Sequence, residues 1–245
     1  MRRVSLNLFP GLRISCIWEA PGVILLQRPG MPQVTERRGA MMKTRRIFPG
    51  LLISLALLAA APAMPAQTES PCVGGKPTAP IKIEVFSDYQ CPACRDFYLG
   101  TMRSVLTDYA DAGKVCVVYR EFPLSVHPHA PDAARYGHAA QRMGQRYWAE
   151  VTDALYENQD KWAGDGKIEP VVAAALNKPD MARLQKEMAD PSIQAAIASD
   201  MALAKKLEIN QTPTFFVTAK GKTEKIAGVV QYSILRRYLD SLLGQ

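Results

Sequence analysis

Histidine and cysteine are scarce in this chain: 245 residues contain three histidines and five cysteines. No two histidines have H-x-x-x-H spacing, and C-x-x-C occurs once, at Cys91 and Cys94. Tetrahedral zinc needs four ligands, and His127 and His129 sit in a proline-broken stretch, so no metal is expected. Fixed-period repeats and low-complexity tracts are missing, which argues against a solenoid. The longest apolar run, Leu51 to Ala61, is short for a bilayer and has Pro49 and Pro62 near its ends. A charge excess is missing where it would matter. The net charge of +7 resides in residues 1–63, with nine Lys/Arg against two Asp/Glu, and residues 64–245 carry 21 of each sign. A nucleic-acid partner would want a basic face, so none is expected. What remains is a chain of 48% apolar content, typical of a globular protein and long enough for one large domain or two small ones.

Residues 41–63 read as a signal peptide. Lys43, Arg45 and Arg46 form a positive n-region, Leu51 to Ala61 an apolar h-region, and Ala61-Pro62-Ala63 a small-x-small cleavage pattern. This implies export to the periplasm or another extracytoplasmic space, with an uncleaved anchor as the alternative. Ser70-Pro71 before Cys72 does not resemble a lipobox. If translation starts at Met41 or Met42, residues 1–40 are an over-extended or disordered N-terminus, and no sustained periodicity is assigned to them. Setting Cys16 aside leaves Cys72, Cys91, Cys94 and Cys116, an even number that suits an oxidising compartment. Residues 64–80, rich in Pro, Gly, Ser and Thr, read as a tether.

The chemistry concentrates at Phe86-Ser87-Asp88-Tyr89-Gln90-Cys91-Pro92-Ala93-Cys94. A β-rich run, Ile81 to Phe86, leads into it. Tyr98, Met102, Val105, Leu106 and Tyr109 then fall on one face of a helix. The cysteines therefore stand where a strand hands over to a helix N-terminus, with Pro92 in the first turn. Free N–H groups and the positive end of the helix dipole favour a Cys91 thiolate, and the thiolate is the nucleophile of disulfide exchange. Cys94, one turn on, can attack a mixed disulfide at Cys91. A merely structural bridge across two residues closes too small a loop to stabilise much.

Val115 to Tyr119 is a second strand, nearly continuous in apolar residues as a buried parallel strand should be. Residues 126–208 turn helical, with helices over about 133–145, 147–158, 168–176, 180–188 and 191–207. Tyr136, Met143, Tyr147, Trp148, Leu155 and Tyr156 read as core. Residues 214–217 and 224–227 are strands around a Lys220-Gly221-Lys222 turn, and 231–243 is a closing helix.

This order, with C-x-x-C after the first long strand and Thr212-Pro213 before the third, resembles the thioredoxin fold: an α/β central sheet (81–125 and 209–245) with an all-α insertion (126–208). The F-S-D-Y-x-C-P-x-C pattern, Phe122-Pro123-Leu124 and Thr212-Pro213-Thr214-Phe215-Phe216 resemble the DsbA-like exported thiol:disulfide oxidoreductases. The resemblance implies a redox disulfide at Cys91–Cys94, a cis Pro213, and Thr212 backbone groups beside Cys91 that an extended peptide can pair with. It also implies a buried acid that assists proton transfer at the resolving cysteine, carried onto Glu84. The alternative for Glu84 is an edge residue paired with Lys82 or solvent. A Cys72–Cys116 bridge is the last implication, because in such a sheet the N-terminal segment runs beside the strand holding Cys116. Two free thiols are the alternative. Ala93 replaces the histidine found in strong oxidants, so the Cys91 pKa is expected near the upper end of the usual C-x-x-C range of about 3.5 to 7.

The activity implied is disulfide donation to reduced exported proteins, with a quinone-linked membrane partner for re-oxidation and no organic cofactor. A reductase or isomerase, and a peptide-binding chaperone without enzymatic activity, are the alternatives.

Overall fold

The computed structural model describes Arg3–Asn7, Arg13–Ile17 and residues 71–244. The expected signal peptide and residues 64–70 of the expected tether lie outside the described residues. The chain divides into two units, Met1–Ala63 and Met64–Gln245. In the first, β1 (Arg3–Asn7) and β2 (Arg13–Ile17) pair antiparallel, where the sequence reading assigned no element. Their signal is a two-residue alternation, Val4 and Leu6 then Ile14 and Cys16, around Pro10-Gly11.

The second unit is built on β3 (Ile81–Ser87), β4 (Val115–Glu121), β5 (Thr214–Ala219) and β6 (Lys222–Ala227) in the order β4-β3-β5-β6. β3 runs parallel to β4 and antiparallel to β5. The alternation along β3 sorts its side chains onto two faces. Ile81, Ile83, Val85 and Ser87 stand opposite Val115, Val117, Tyr119 and Glu121 of β4. Lys82, Glu84 and Phe86 point the other way, beside Cys116, Val118 and Arg120. β3 and β4 are short, apolar and β-branched because both their faces are covered.

Between β3 and β4 the chain is helical from α1 (Pro92–Phe97) to Ala110. It passes through π turns at Tyr98–Met102 and Leu106–Ala110, with the short α2 (Arg103–Val105) between them. Each π turn adds a residue to the turn and shifts the apolar stripe. Tyr98, Met102, Val105 and Tyr109 are buried while Leu106 is only partly so. The insertion comprises α3 (Ala130–Met143), α4 (Gln145–Glu157), α5 (Gln159–Trp162), α6 (Ile168–Ala175), α7 (Lys178–Met188) and α8 (Pro191–Lys206). Asn177 and Asp190 cap α7 and α8 by accepting from Asp180 N and Ser192 N. α9 (Tyr232–Leu243) closes the fold on Leu235 and Leu239. Among the expected core residues, Trp148, Leu155 and Tyr156 are at most 1% exposed, and Tyr147 is partly buried. No described helix is long and apolar enough to cross a membrane.

The N-terminal segment joins the outer edge of β4. Val73 N donates to Val117 O at 2.7 Å, and Val117 N to Gly74 O at 2.9 Å. This pairing sets Cys72 beside Cys116, and the two form a disulfide with a Cα–Cα distance of 5.5 Å. The bridge spans 44 residues and encloses the active-site helix. A loop of that length corresponds to about 4 kcal/mol of denatured-state chain entropy. Replacing both cysteines with alanine is expected to lower the urea-unfolding free energy by about 2 to 4 kcal/mol, with the CD spectrum of the native state unchanged.

Candidate active site

Cys91 is the N-cap of α1, in extended conformation, with Pro92 opening the helix. Its C=O accepts the first helical bond from Arg95 N at 3.1 Å, and its N–H donates to Asp88 O at 3.1 Å. The helix therefore begins at the sulfur that needs its free N–H groups. Cys91 is 7% exposed and Cys94 0%. Cys91 is little exposed for a nucleophile, with Thr212 of the loop before β5 against it. The Thr212–Pro213 peptide is cis, and the Cys91 thiol reaches Thr212 O at 3.8 Å. The Thr212 hydroxyl, buried and without another partner, faces both sulfurs.

Both cysteines are free thiols here, and their acidities are pushed apart. The Cys94 side chain hydrogen-bonds to Cys91 and, against the opposing effect of burial, brings Cys91 down to about 5. Thr212 and the backbone N–H groups of Cys94 and Ala93 act in the same direction. This is below the upper end expected from the missing histidine, because hydrogen bonds replace the charge. Burial pushes Cys94 well above the ordinary thiol range, and hydrogen bonding to and charge on Cys91 add to it.

The loop leading to Cys91 is held from three sides. Asp88 accepts from Gln90 N and Leu124 N at 2.7 and 2.8 Å, and its Oδ2 lies 2.7 Å from His127 Nδ1. His127, in the proline-broken stretch, thus locks the loop. Gln159 Nε2 donates to Tyr89 O and Cys91 O at 2.7 and 3.1 Å. Gln90 bridges Ala163 O and His129 N. Nothing local in the sequence marks Gln159, which reaches the site only through the packing of the insertion.

Glu84 is not brought to the cysteines. Lys82, Glu84 and Phe86 share the face away from Ser87, and Glu84 is held there by Arg120, with an N–O distance of 2.6 Å, and by Lys82 at 3.9 Å. Arg120 also pairs with Asp200 at 2.9 Å. The proton-transfer expectation for Glu84 is corrected by strand parity: the residues on the cysteine face are Val85 and Ser87. Of the alternative, the pairing holds but not the edge position: β3 lies between β4 and β5, and the nearer partner is Arg120. The buried acid on the cysteine face is Glu121 of β4, with Gln141 Nε2 at 3.3 Å and its Oε2 unpartnered. Burial, with the charges of Asp200 and Asp88, pushes Glu121 well up.

A nucleophile with a depressed pKa beside a buried second thiol, facing a cis-proline loop, is equipped for dithiol–disulfide exchange. The thioredoxin family model matches residues 67–241. The chain belongs to the thioredoxin family. Within it the chain is similar to the probable disulfide bond formation protein D of Bacillus cereus, 27% identical over 147 residues that cover 58% of this chain and 68% of that protein. The structure of Wolbachia pipientis α-DsbA1 matches with a TM-score of 0.59 at 26% identity, covering 69% of this chain and 89% of that one. A stretch of a Mycolicibacterium gilvum Na(+)/H(+) antiporter NhaA 1 is 31% identical over 159 residues, 64% of this chain but 24% of that protein. This thioredoxin-family chain is a DsbA-like thiol:disulfide oxidoreductase.

The folded pKa of Cys91 lies below its unfolded value of about 9, so the reduced fold gains stability as pH rises from about 5 toward about 9 and loses that stability as pH falls through about 5. Cys94, raised in the fold, acts in the opposite sense only above about 9. The thiolate absorbance of the reduced protein is expected to titrate with a midpoint of about 5, and Cys94→Ala to move it upward by removing the largest hydrogen bond.

Proposed function

We propose that the protein donates disulfides to reduced exported proteins through Cys91 and Cys94, with residues 41–63 directing export and residues 64–80 serving as a tether that is fixed to β4 at Cys72, Val73 and Gly74. The observation that carries the direction is the Cys91 thiol at about 5. A thiolate stabilised in the reduced protein makes the oxidised protein the less stable partner, and so a disulfide donor. A substrate thiolate attacks Cys91, Cys94 leaves, and a second substrate thiol releases the mixed disulfide as the substrate's own disulfide forms. Pro213 and Thr212 offer the attacking peptide an extended edge. The domain boundaries follow the same reading, with 81–125 and 209–245 as the redox domain and 126–208 as the helical insertion. A quinone-linked membrane partner is the corresponding source of oxidising equivalents, and the chemistry requires neither metal nor organic cofactor.

Equilibration with glutathione tests the direction. A potential of about −120 to −180 mV supports a donor or isomerase, and one near about −270 mV makes the protein a reductase. The division of labour has its own outcome. Cys91→Ser is expected to abolish exchange, and Cys94→Ser to accumulate mixed disulfides at Cys91 on non-reducing gels. Adducts on Cys91→Ser alone would reverse the two roles.

A further inference from the structure

When Cys94 enters or leaves a disulfide it carries negative charge in a place with no solvent exposure. An unaided charge there is costly, and Glu84 is on the wrong face to help. On the right face the structure places three hydroxyls in series. Ser87, 2% exposed, acts on the Cys94 thiol through its side chain in the sense that favours the thiolate. Ser87 Oγ lies 2.9 Å from the Tyr156 hydroxyl, which lies 2.5 Å from the Tyr119 hydroxyl. Tyr156 is also 3.4 Å from Asp88 O, a carbonyl that already accepts from Cys91 N. Tyr119 and Tyr156 come from β4 and α4, so sheet and insertion meet in this chain of hydroxyls.

We propose that Ser87, Tyr156 and Tyr119 form a reversible hydroxyl chain that accepts a hydrogen bond from Cys94 as a thiol and donates one to it as a thiolate. The proposal rests on the dithiol reading but holds for either direction of electron flow. The hydrogens balance in both states. With the thiol, while Cys91 is held in a mixed disulfide and carries no thiolate to take the Cys94 hydrogen, Cys94 donates to Ser87, Ser87 to Tyr156, and Tyr156 to Asp88 O, and Tyr119 donates to Tyr156. With the thiolate, Tyr119 donates to Tyr156, Tyr156 to Ser87, and Ser87 to the sulfur. Asp88 O keeps its bond from Cys91 N. No proton passes along the chain; the Ser87 and Tyr156 hydroxyls turn, and Tyr119 donates to Tyr156 in both states. In the donor step a substrate thiolate bonds to the Cys91 sulfur, the Cys91–Cys94 bond breaks, and its electron pair goes to Cys94, which later takes a proton from water. In the reverse step Cys94 bonds to Cys91, and the departing substrate thiolate takes up the proton that Cys94 lost.

Burial pushes both phenols well above the ordinary tyrosine range, and the charge of Cys94 contributes to this. They therefore stay protonated and act as donors that do not compete for ionisation. The other titratable groups facing the chain are Tyr89, whose hydroxyl is spent on Thr152 at 3.1 Å, Tyr98, whose ring packs on Tyr156 and whose hydroxyl donates to Asp153 at 2.9 Å, Glu121, and Asp88, whose carboxylate is committed to Gln90, Leu124 and His127. Ser87 is the hydroxyl of the chain that acts on the reacting sulfur; Tyr156 and Tyr119 are positioning residues that act through it.

The test uses the full-length protein, with glutathione attached to Cys91 as a mixed disulfide, and follows its release by Cys94 against pH. A hydrogen bond to a charged group corresponds to about tenfold to a hundredfold in rate. Ser87→Ala is expected to slow release at pH 7 by that factor and to move the pH profile upward, with alkylation of Cys91 less affected than release. Tyr156→Phe, which keeps the ring, should shift the profile the same way by less, and Ser87→Thr should restore it. An unchanged profile in Ser87→Ala, or in Tyr156→Phe if Ser87→Ala does not fold, overturns the proposal. If the unaltered protein neither forms nor releases the adduct, the dithiol reading fails and takes the proposal with it. Release by the unaltered protein together with unshifted variants removes the hydroxyl chain alone.

Discussion

The hydrogen bonds that converge on the Cys91 sulfur are the interaction on which the rest of the structure depends. A thiolate at about 5 has to be built from neutral groups here, because Ala93 brings no charge. The Cys94 thiol, the Thr212 hydroxyl and the backbone N–H groups of Ala93 and Cys94 do this together. Each is a weak contributor unless its direction is fixed, so the helix start, the cis-proline loop and the second cysteine must all be held in register. The placement of β3 between β4 and β5 provides that frame.

The insertion belongs to the same frame. Gln159 and Gln90 tie the loop before Cys91 to α5 and the residue beyond it, and Tyr89 is anchored on Thr152 of α4. Gly137 of α3 lies so close to the Tyr89 ring that a Cβ there would come within 2.4 Å. Such close packing lets a loop residue keep one position, and buried hydroxyls and amides are tolerated only because nearly all find partners. On the opposite face, Arg120 draws Glu84 and Asp200 together. This keeps these two carboxylates away from the sulfur that must become negative.

The sequence by itself determined what is local. A strand running into a helix at Pro92, the C-x-x-C spacing, the helical insertion and the Thr212-Pro213 signature were all legible, because period, caps and breakers act over a few residues. Most element ends were read to within a few residues for the same reason. The π turns were not legible, since they reflect how the helix fits its neighbours rather than its own propensities. Nor was the role of His127, which depends on the β4–α3 loop folding back onto Asp88.

Only the tertiary structure decided which groups share the cysteine face. Strand parity is local, but which face the active-site helix covers depends on the register of β3 with β4 and β5 and on where the insertion lands. That register turned Glu84 away, turned Ser87 inward, and set Tyr119 and Tyr156 against it from elements 37 residues apart. It also seated Cys72 beside Cys116 through two backbone bonds to the edge of β4. A lone serine and two tyrosines carry no spacing signal, because their association comes from long-range pairing and packing rather than from neighbouring positions in the chain.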